Sequence, residues 1–270
     1  MSALSDALAK AKADNRAALV GYLPVGYPNV DVSIDAMRAM VDGGADVVEV
    51  GVPYSDPVMD GPTIQAAAEP AVRAGVGIRD ALRAVEAVAQ AGAAAVIMTY
   101  WNPVERYGVD RFAAELSAAG GSGAITPDLI PDEAAPWLAA TDEHGLDRVF
   151  LVAPSSTDAR IVSTAAASRG FVYAAALMGV TGARDAVGAA AAALVGRVRA
   201  LAPDIPVCVG LGVSNGDQAA QMAAFADGVI VGSALVRCML DSPDAGGVAA
   251  VHALAGELAA GVRRQPVAST

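Results

Sequence analysis

At 270 residues, with 54% hydrophobic and 17% charged side chains, the chain carries enough apolar surface for a packed interior, which excludes general disorder. Its 18 Lys and Arg against 29 Asp and Glu leave a net charge of −11, so the surface repels phosphate backbones and anionic lipid; no nucleic-acid or membrane partner is expected. The two cysteines, Cys208 and Cys238, lie in apolar runs and imply no disulfide framework, which fits a reducing cytoplasm.

The first residues, MSALSDALAKAKADNR, mix charge with small side chains and lack an apolar core run, so a short amphipathic helix is expected there and no secretory signal. Short β-branched runs then recur at 17–23, 46–51, 95–100, 123–128, 148–153, 171–176, 206–210 and 228–232, separated by alanine-rich segments with apolar residues at three and four spacing. Between the second and third runs lie a Pro-rich loop, a helix-like stretch at 63–74 and a regular helix at 78–91. Pro70 inside that stretch is expected to kink or shorten it, at a cost of about 3 kcal/mol in a regular interior. The uncharged stretch 87–104 contains Gln90, Gly92, Asn102 and Pro103 and reads as a helix end followed by a strand, not a membrane span. A further helix is expected over 132–140, after Pro131. Eight strand and helix units in one chain of this length point to a single α/β domain over 1–270. Its expected fold is an eight-stranded parallel (β/α)8 TIM barrel with an extra N-terminal helix; an open doubly wound sheet has the same periodicity.

Lysine occurs only as Lys10 and Lys12, so the body of the chain has none for a Schiff base or a P-loop. The only histidines, His144 and His252, lack partners at the spacing of a metal site or hydrolase triad, and read as surface or packing residues. No metal is expected, and acid–base work falls to carboxylates and tyrosines.

Over residues 45–63, ADVVEVGVPYSDPVMDGPT, strand alternation puts Val47, Glu49 and Gly51 on one face and Val48 and Val50 on the other, so Glu49 points where a barrel keeps its interior. A lone carboxylate among valines is costly to desolvate, which calls for a raised pKa or for pairing with an arginine or backbone N–H groups. Asp60 lies in the loop that follows, over the barrel mouth, although Asp before Gly is also an ordinary turn. Glycine clusters follow the last three strands at 179–182, 210–212 and 232–233, where barrels commonly bind phosphate through backbone N–H groups and a helix N-terminus, and where glycine-rich loops also occur without a ligand.

With these motifs in place, the chain resembles the tryptophan synthase α family from about residue 16 to 262: EVGVPYSDPVMDGPTIQ at 49–65, Tyr100 with Asn102, Pro127-Asp128, FVY with GVTG at 171–182, GLGVS at 210–214 and VGSALV at 231–236. The resemblance implies retro-aldol cleavage of indole-3-glycerol phosphate to indole and glyceraldehyde 3-phosphate in tryptophan biosynthesis. Glu49 then resembles the general acid/base, Asp60 the carboxylate facing the indole N–H, and Tyr173 the active-site tyrosine. Thr181, Gly182, Gly212, Gly232 and Ser233 resemble the phosphate-binding set, and Tyr100 a wall of the indole pocket. The family also implies a pyridoxal-phosphate β subunit in an α2β2 heterotetramer, contacted through Pro53, Tyr54, Asp56, Pro57 and Asn102, with no cofactor in this chain. Leu177 departs from the pattern, standing where many members have arginine. Two other readings fit the residues: a weakly catalytic ligand-sensing barrel that activates the β subunit, and another phosphate-binding barrel such as an isomerase.

Overall fold

The computed structural model describes residues 2–175, 184–210 and 212–264. Its strands are β1 (Ala18–Pro24), β2 (Val47–Gly51), β3 (Ala94–Met98), β4 (Gly123–Ile125), β5 (Asp147–Val149), β6 (Leu151–Val152), β7 (Val172–Ala175), β8 (Val207–Gly210) and β9 (Gly228–Val231). All pair in parallel in the order β5-β4-β3-β2-β1-β9-β8-β7-β6. Because β1 pairs with both β2 and β9, the sheet does not end at its first strand, and the two outermost strands are successive pieces of one chain segment. The sheet thus curls into a barrel of eight staves, and the open-sheet alternative is set aside.

The stave expected at 148–153 is the one that differs, being split at Phe150 into β5 and β6. Each half pairs with one neighbour only, β5 with β4 and β6 with β7. Backbone hydrogen bonds from Arg169 N to Arg148 O (2.8 Å) and from Tyr173 N to Phe150 O (3.1 Å) carry the seam across the break.

Period-two alternation divides the apolar residues into two layers. Val20, Val47, Val96, Ile125, Val149, Cys208 and Ile230 fill the barrel, whereas Val48 and Val50 pack outward against helices. The expected N-terminal helix, Ala3–Ala13, plugs the N-terminal end of the barrel with Leu4, Leu8 and Ala11. Each buried leucine stabilises this closure by about 1.5–3 kcal/mol. Ser2 caps that helix at Ser5 N (3.1 Å) and its hydroxyl also donates to the buried carboxylate of Asp147, which fixes the plug to β5.

Two expected helices take a different form. The stretch around Pro70 is an unbroken helix, Pro62–Arg73. Ala66, whose carbonyl would have accepted the missing N–H, is exposed along with Pro70, so water can satisfy that carbonyl. The segment after Pro131 starts as a 3₁₀ turn, Pro131–Glu133, and restarts as the helix Ala135–His144, which places Pro136 in the first turn, where a proline costs no helical hydrogen bond. The helix Ala245–Val262 is long and apolar enough to cross a membrane by composition, yet its Val251, Ala255, Leu258 and Val262 stripe is buried against the helices Val30–Asp42 and Gly216–Ala223.

Candidate active site

A cavity of about 210 Å³ opens at the C-terminal ends of the strands. Glu49, Asp60, Tyr173, Gly212, Gly232 and Ser233 all border it, from five different segments of the chain. Thr181, Gly182 and Leu177 lie outside the described residues.

Glu49 is 3% exposed, and its Oε2 has no hydrogen-bond partner among the described residues, so the paired-carboxylate alternative finds no support at that atom. Its Cα partners are Tyr22 on β1 and Val96 on β3. Removal from water pushes its pKa up to about 8, and the negative charge of Asp60 adds to the shift. A carboxyl group in this range can give a proton and take one back near neutral pH.

Asp60 is held by its neighbours. Tyr100 donates its hydroxyl to Asp60 Oδ1 (2.9 Å) and accepts from Met59 N (3.0 Å), while Gln65 donates its side-chain amide to Asp60 O (2.7 Å). Burial raises the Asp60 pKa, and the Tyr100 hydrogen bond opposes that rise. Tyr100→Phe should therefore move the Asp60 carboxyl further upward, read by carbon-detected titration of the two proteins; an unmoved or lowered Asp60 would contradict the hydrogen bond.

This corrects one expectation. Tyr100 does not border the cavity, because β3 ends at Met98 and Tyr100 stands beyond it as the N-cap of the helix Trp101–Tyr107, where strand alternation no longer aims side chains. Met98 takes the expected place in the wall, with Ile64, Ile125, Leu151 and Ile230, a lining suited to a flat apolar ring.

Two tyrosines that enter the cavity depend on glycines of the neighbouring strands. A Cβ on Gly51 would stand 2.4 Å from the Tyr22 hydroxyl oxygen, and one on Gly210 would stand 2.3 Å from that of Tyr173. Burial raises both phenol pKa values, so each ring presents a protonated hydroxyl. Gly51→Ala should displace the Tyr22 ring into the cavity and weaken binding of any ligand there, with calorimetry on the phosphate ester that the resemblance implies as the check; unchanged affinity would show that the ring has another place to go. Tyr22 escaped the sequence reading; its inward position on β1 was available from alternation, but its register against Glu49 was not.

After β8 and β9, Gly212 has φ +66° and Gly232 is the N-cap of the helix Ser233–Asp241, whose first turn has no side-chain cap. Free N–H groups and the positive end of the helix dipole there suit a phosphate.

Tyr54, Asp56 and Pro57 stand on the loop after β2 and Asn102 on the helix after β3, all at this same end of the barrel. Tyr54 packs on Tyr100 with ring centroids 5.2 Å apart, Asp56 and Asn102 are exposed, and Pro53 is buried, so it shapes the loop more than the surface. Val58, 74% exposed, adds an apolar tip that the sequence reading did not single out. His144 lies outside the cavity, its Nε2 3.2 Å from Asp110 Oδ1, and His252 is exposed.

A barrel mouth of this kind belongs to an enzyme that works by proton transfer on a ligand with an apolar part and an anionic end. The family model of the tryptophan synthase alpha chain matches residues 8–263. The chain is 65% identical over 254 residues to the tryptophan synthase alpha chain of Mycobacterium marinum, covering 94% of this chain and 92% of that one. To the same chain of Thermobifida fusca it is 62% identical over 266 residues, covering 97% and 98%. A ligand-free crystal structure of tryptophan synthase from M. tuberculosis superposes with a TM-score of 0.90 at 60% identity, covering 98% of this chain and 100% of that one. Tryptophan synthase subunit alpha of Legionella pneumophila gives 0.88 at 31% identity, covering 97% and 98%.

The chain belongs to the tryptophan synthase α family. It is a carbon–carbon lyase of tryptophan biosynthesis that cleaves indole-3-glycerol phosphate to indole and glyceraldehyde 3-phosphate, and the isomerase reading falls with that assignment. Members of the family are soluble biosynthetic enzymes.

Proposed function

We propose that Glu49 carries both proton transfers of this cleavage. Protonated Glu49 gives its proton to carbon 3 of the indole ring. The resulting carboxylate takes the proton of the hydroxyl on the adjoining side-chain carbon. As that O–H bond breaks, the oxygen forms the aldehyde C=O, and the electron pair of the carbon–carbon bond returns to the ring to release neutral indole; protons balance with no net gain or loss. The observation that carries this reading is a nearly unexposed carboxyl group with a pKa pushed up to about 8, in a cavity shared with Asp60.

Asp60 faces the ring N–H and offsets the positive charge that appears when carbon 3 is protonated, while Tyr100 holds it in place. Tyr173 stands beside the substrate chain, and Gly212, Gly232 and Ser233 hold the phosphate together with Thr181 and Gly182. The chain works as one domain, in the cytoplasm, without a cofactor of its own. Pyridoxal phosphate belongs to a β subunit that receives indole, in an α2β2 complex formed through the loop face of Pro53, Tyr54, Asp56, Pro57 and Asn102, and the two subunits regulate one another. The exposed residues of that face and the apolar Val58 tip support the docking.

An indole-release assay on wild type and Asp60→Asn, with and without the β subunit, tests this. Asparagine keeps the shape and removes the charge, so turnover should fall by about 100-fold in both settings. A variant that releases indole at the wild-type rate would remove Asp60 from the mechanism, and a wild-type rate indifferent to the β subunit would count against the coupling.

A further inference from the structure

We infer that the Tyr22 hydroxyl donates a hydrogen bond to the substrate oxygen that Glu49 deprotonates, and that it thereby selects for a hydroxyl on the carbon attached to the ring. The inference rests on the role assigned to Glu49 and on where the phenol lies. Tyr22 and Glu49 are Cα partners on adjacent strands. The phenol end lies over Gly51, the next inward position on the strand of Glu49, where a Cβ would be 2.4 Å from the hydroxyl oxygen and 2.7 Å from Cζ. The opposite edge of the ring lies on Gly232, where a Cβ would be 3.3 Å from Cδ1. The ring therefore spans the wall from the helix N-terminus suited to the phosphate to the level just above the carboxyl group. A substrate stretched between those two points runs its three-carbon chain along this ring.

The hydroxyl is available for such a contact. That of Tyr100 is committed to Asp60 and Met59, whereas no hydrogen bond engages that of Tyr22 among the described residues. Tyr22 is 6% exposed and borders the cavity. As the substrate hydroxyl loses its proton to Glu49, negative charge grows on its oxygen before the C=O bond is complete, and a fixed O–H donor there stabilises that stage more than the ground state. A substrate with hydrogen in place of the hydroxyl would leave the phenol unpaired, which an apolar wall would not penalise.

Tyr22→Phe, in the full chain with its β partner present, keeps the ring and removes one oxygen. We expect kcat for indole-3-glycerol phosphate cleavage to fall by about tenfold. Affinity for an analogue with both side-chain hydroxyls replaced by hydrogen should stay within about twofold of wild type, since that ligand never engages the phenol. Unchanged turnover overturns the inference. So does an equal loss in turnover and in analogue affinity, which would make Tyr22 a packing residue. Glu49→Gln in the same assay separates the two layers: an active Glu49→Gln removes the assignment of Glu49, whereas an inactive one beside an unaffected Tyr22→Phe removes only the role of Tyr22.

Discussion

Glu49→Gln should lower the rate of indole release by about 10²–10⁴-fold, the usual contribution of a positioned acid–base group, while leaving the cavity's shape intact. Glutamine is isosteric but can neither give a proton to carbon 3 nor take one from the hydroxyl. The pH profile should carry the same signature. With the free-enzyme pKa pushed up to about 8, kcat/KM in the wild type holds while Glu49 is protonated and falls as pH rises through that value. The residual rate of the variant should show no such limb. A Glu49→Gln enzyme with wild-type turnover, or a wild-type profile flat through pH 9, would place the proton transfers elsewhere.

The same substitution should raise stability in alkaline buffer, because the acid that serves the chemistry is a liability to the fold once ionised. Glu49 goes from its ordinary value of 4.5 in the unfolded chain to about 8 in the barrel, so between these two pH values the folded state binds more protons than the unfolded state. Stability from this group is fully present below pH about 4.5, declines across the window and is lost above pH about 8, a total on the order of 5 kcal/mol. Glutamine has no charge to bury, so the difference between the variant and wild type should widen from mildly acidic to alkaline buffer. Urea unfolding of both proteins at pH 5.5 and pH 9 measures that difference directly, other titrating groups being common to both. A gap that is constant with pH would show that Glu49 ionises in the barrel as easily as in water.

Much of the architecture was legible because it rests on local rules. The alternation of β-branched runs and alanine-rich segments marks eight staves, and the position of Glu49 between Val48 and Val50 marks its inward face. Where local rules met tertiary contacts, they failed in specific ways. Pro70 breaks no helix because its lost hydrogen bond falls on the solvent side. Tyr100 leaves the cavity wall because its strand ends two residues before it.

The chemical groups and the face each strand turns inward follow from the order of residues alone: no lysine beyond Lys12, one acid in an apolar strand, a second acid in the loop above it, and glycines after the last strands. Composition and period-two geometry are properties of neighbours along the chain, so they can be read without the fold. The assembled barrel is what sets Tyr22 in register with Glu49, brings the Tyr100 hydroxyl to 2.9 Å from the Asp60 carboxylate, and lets Gly51 and Gly210 make room for two phenol rings. Those relations join residues on different staves, and they depend on strand register and barrel closure, which no local pattern in the chain encodes.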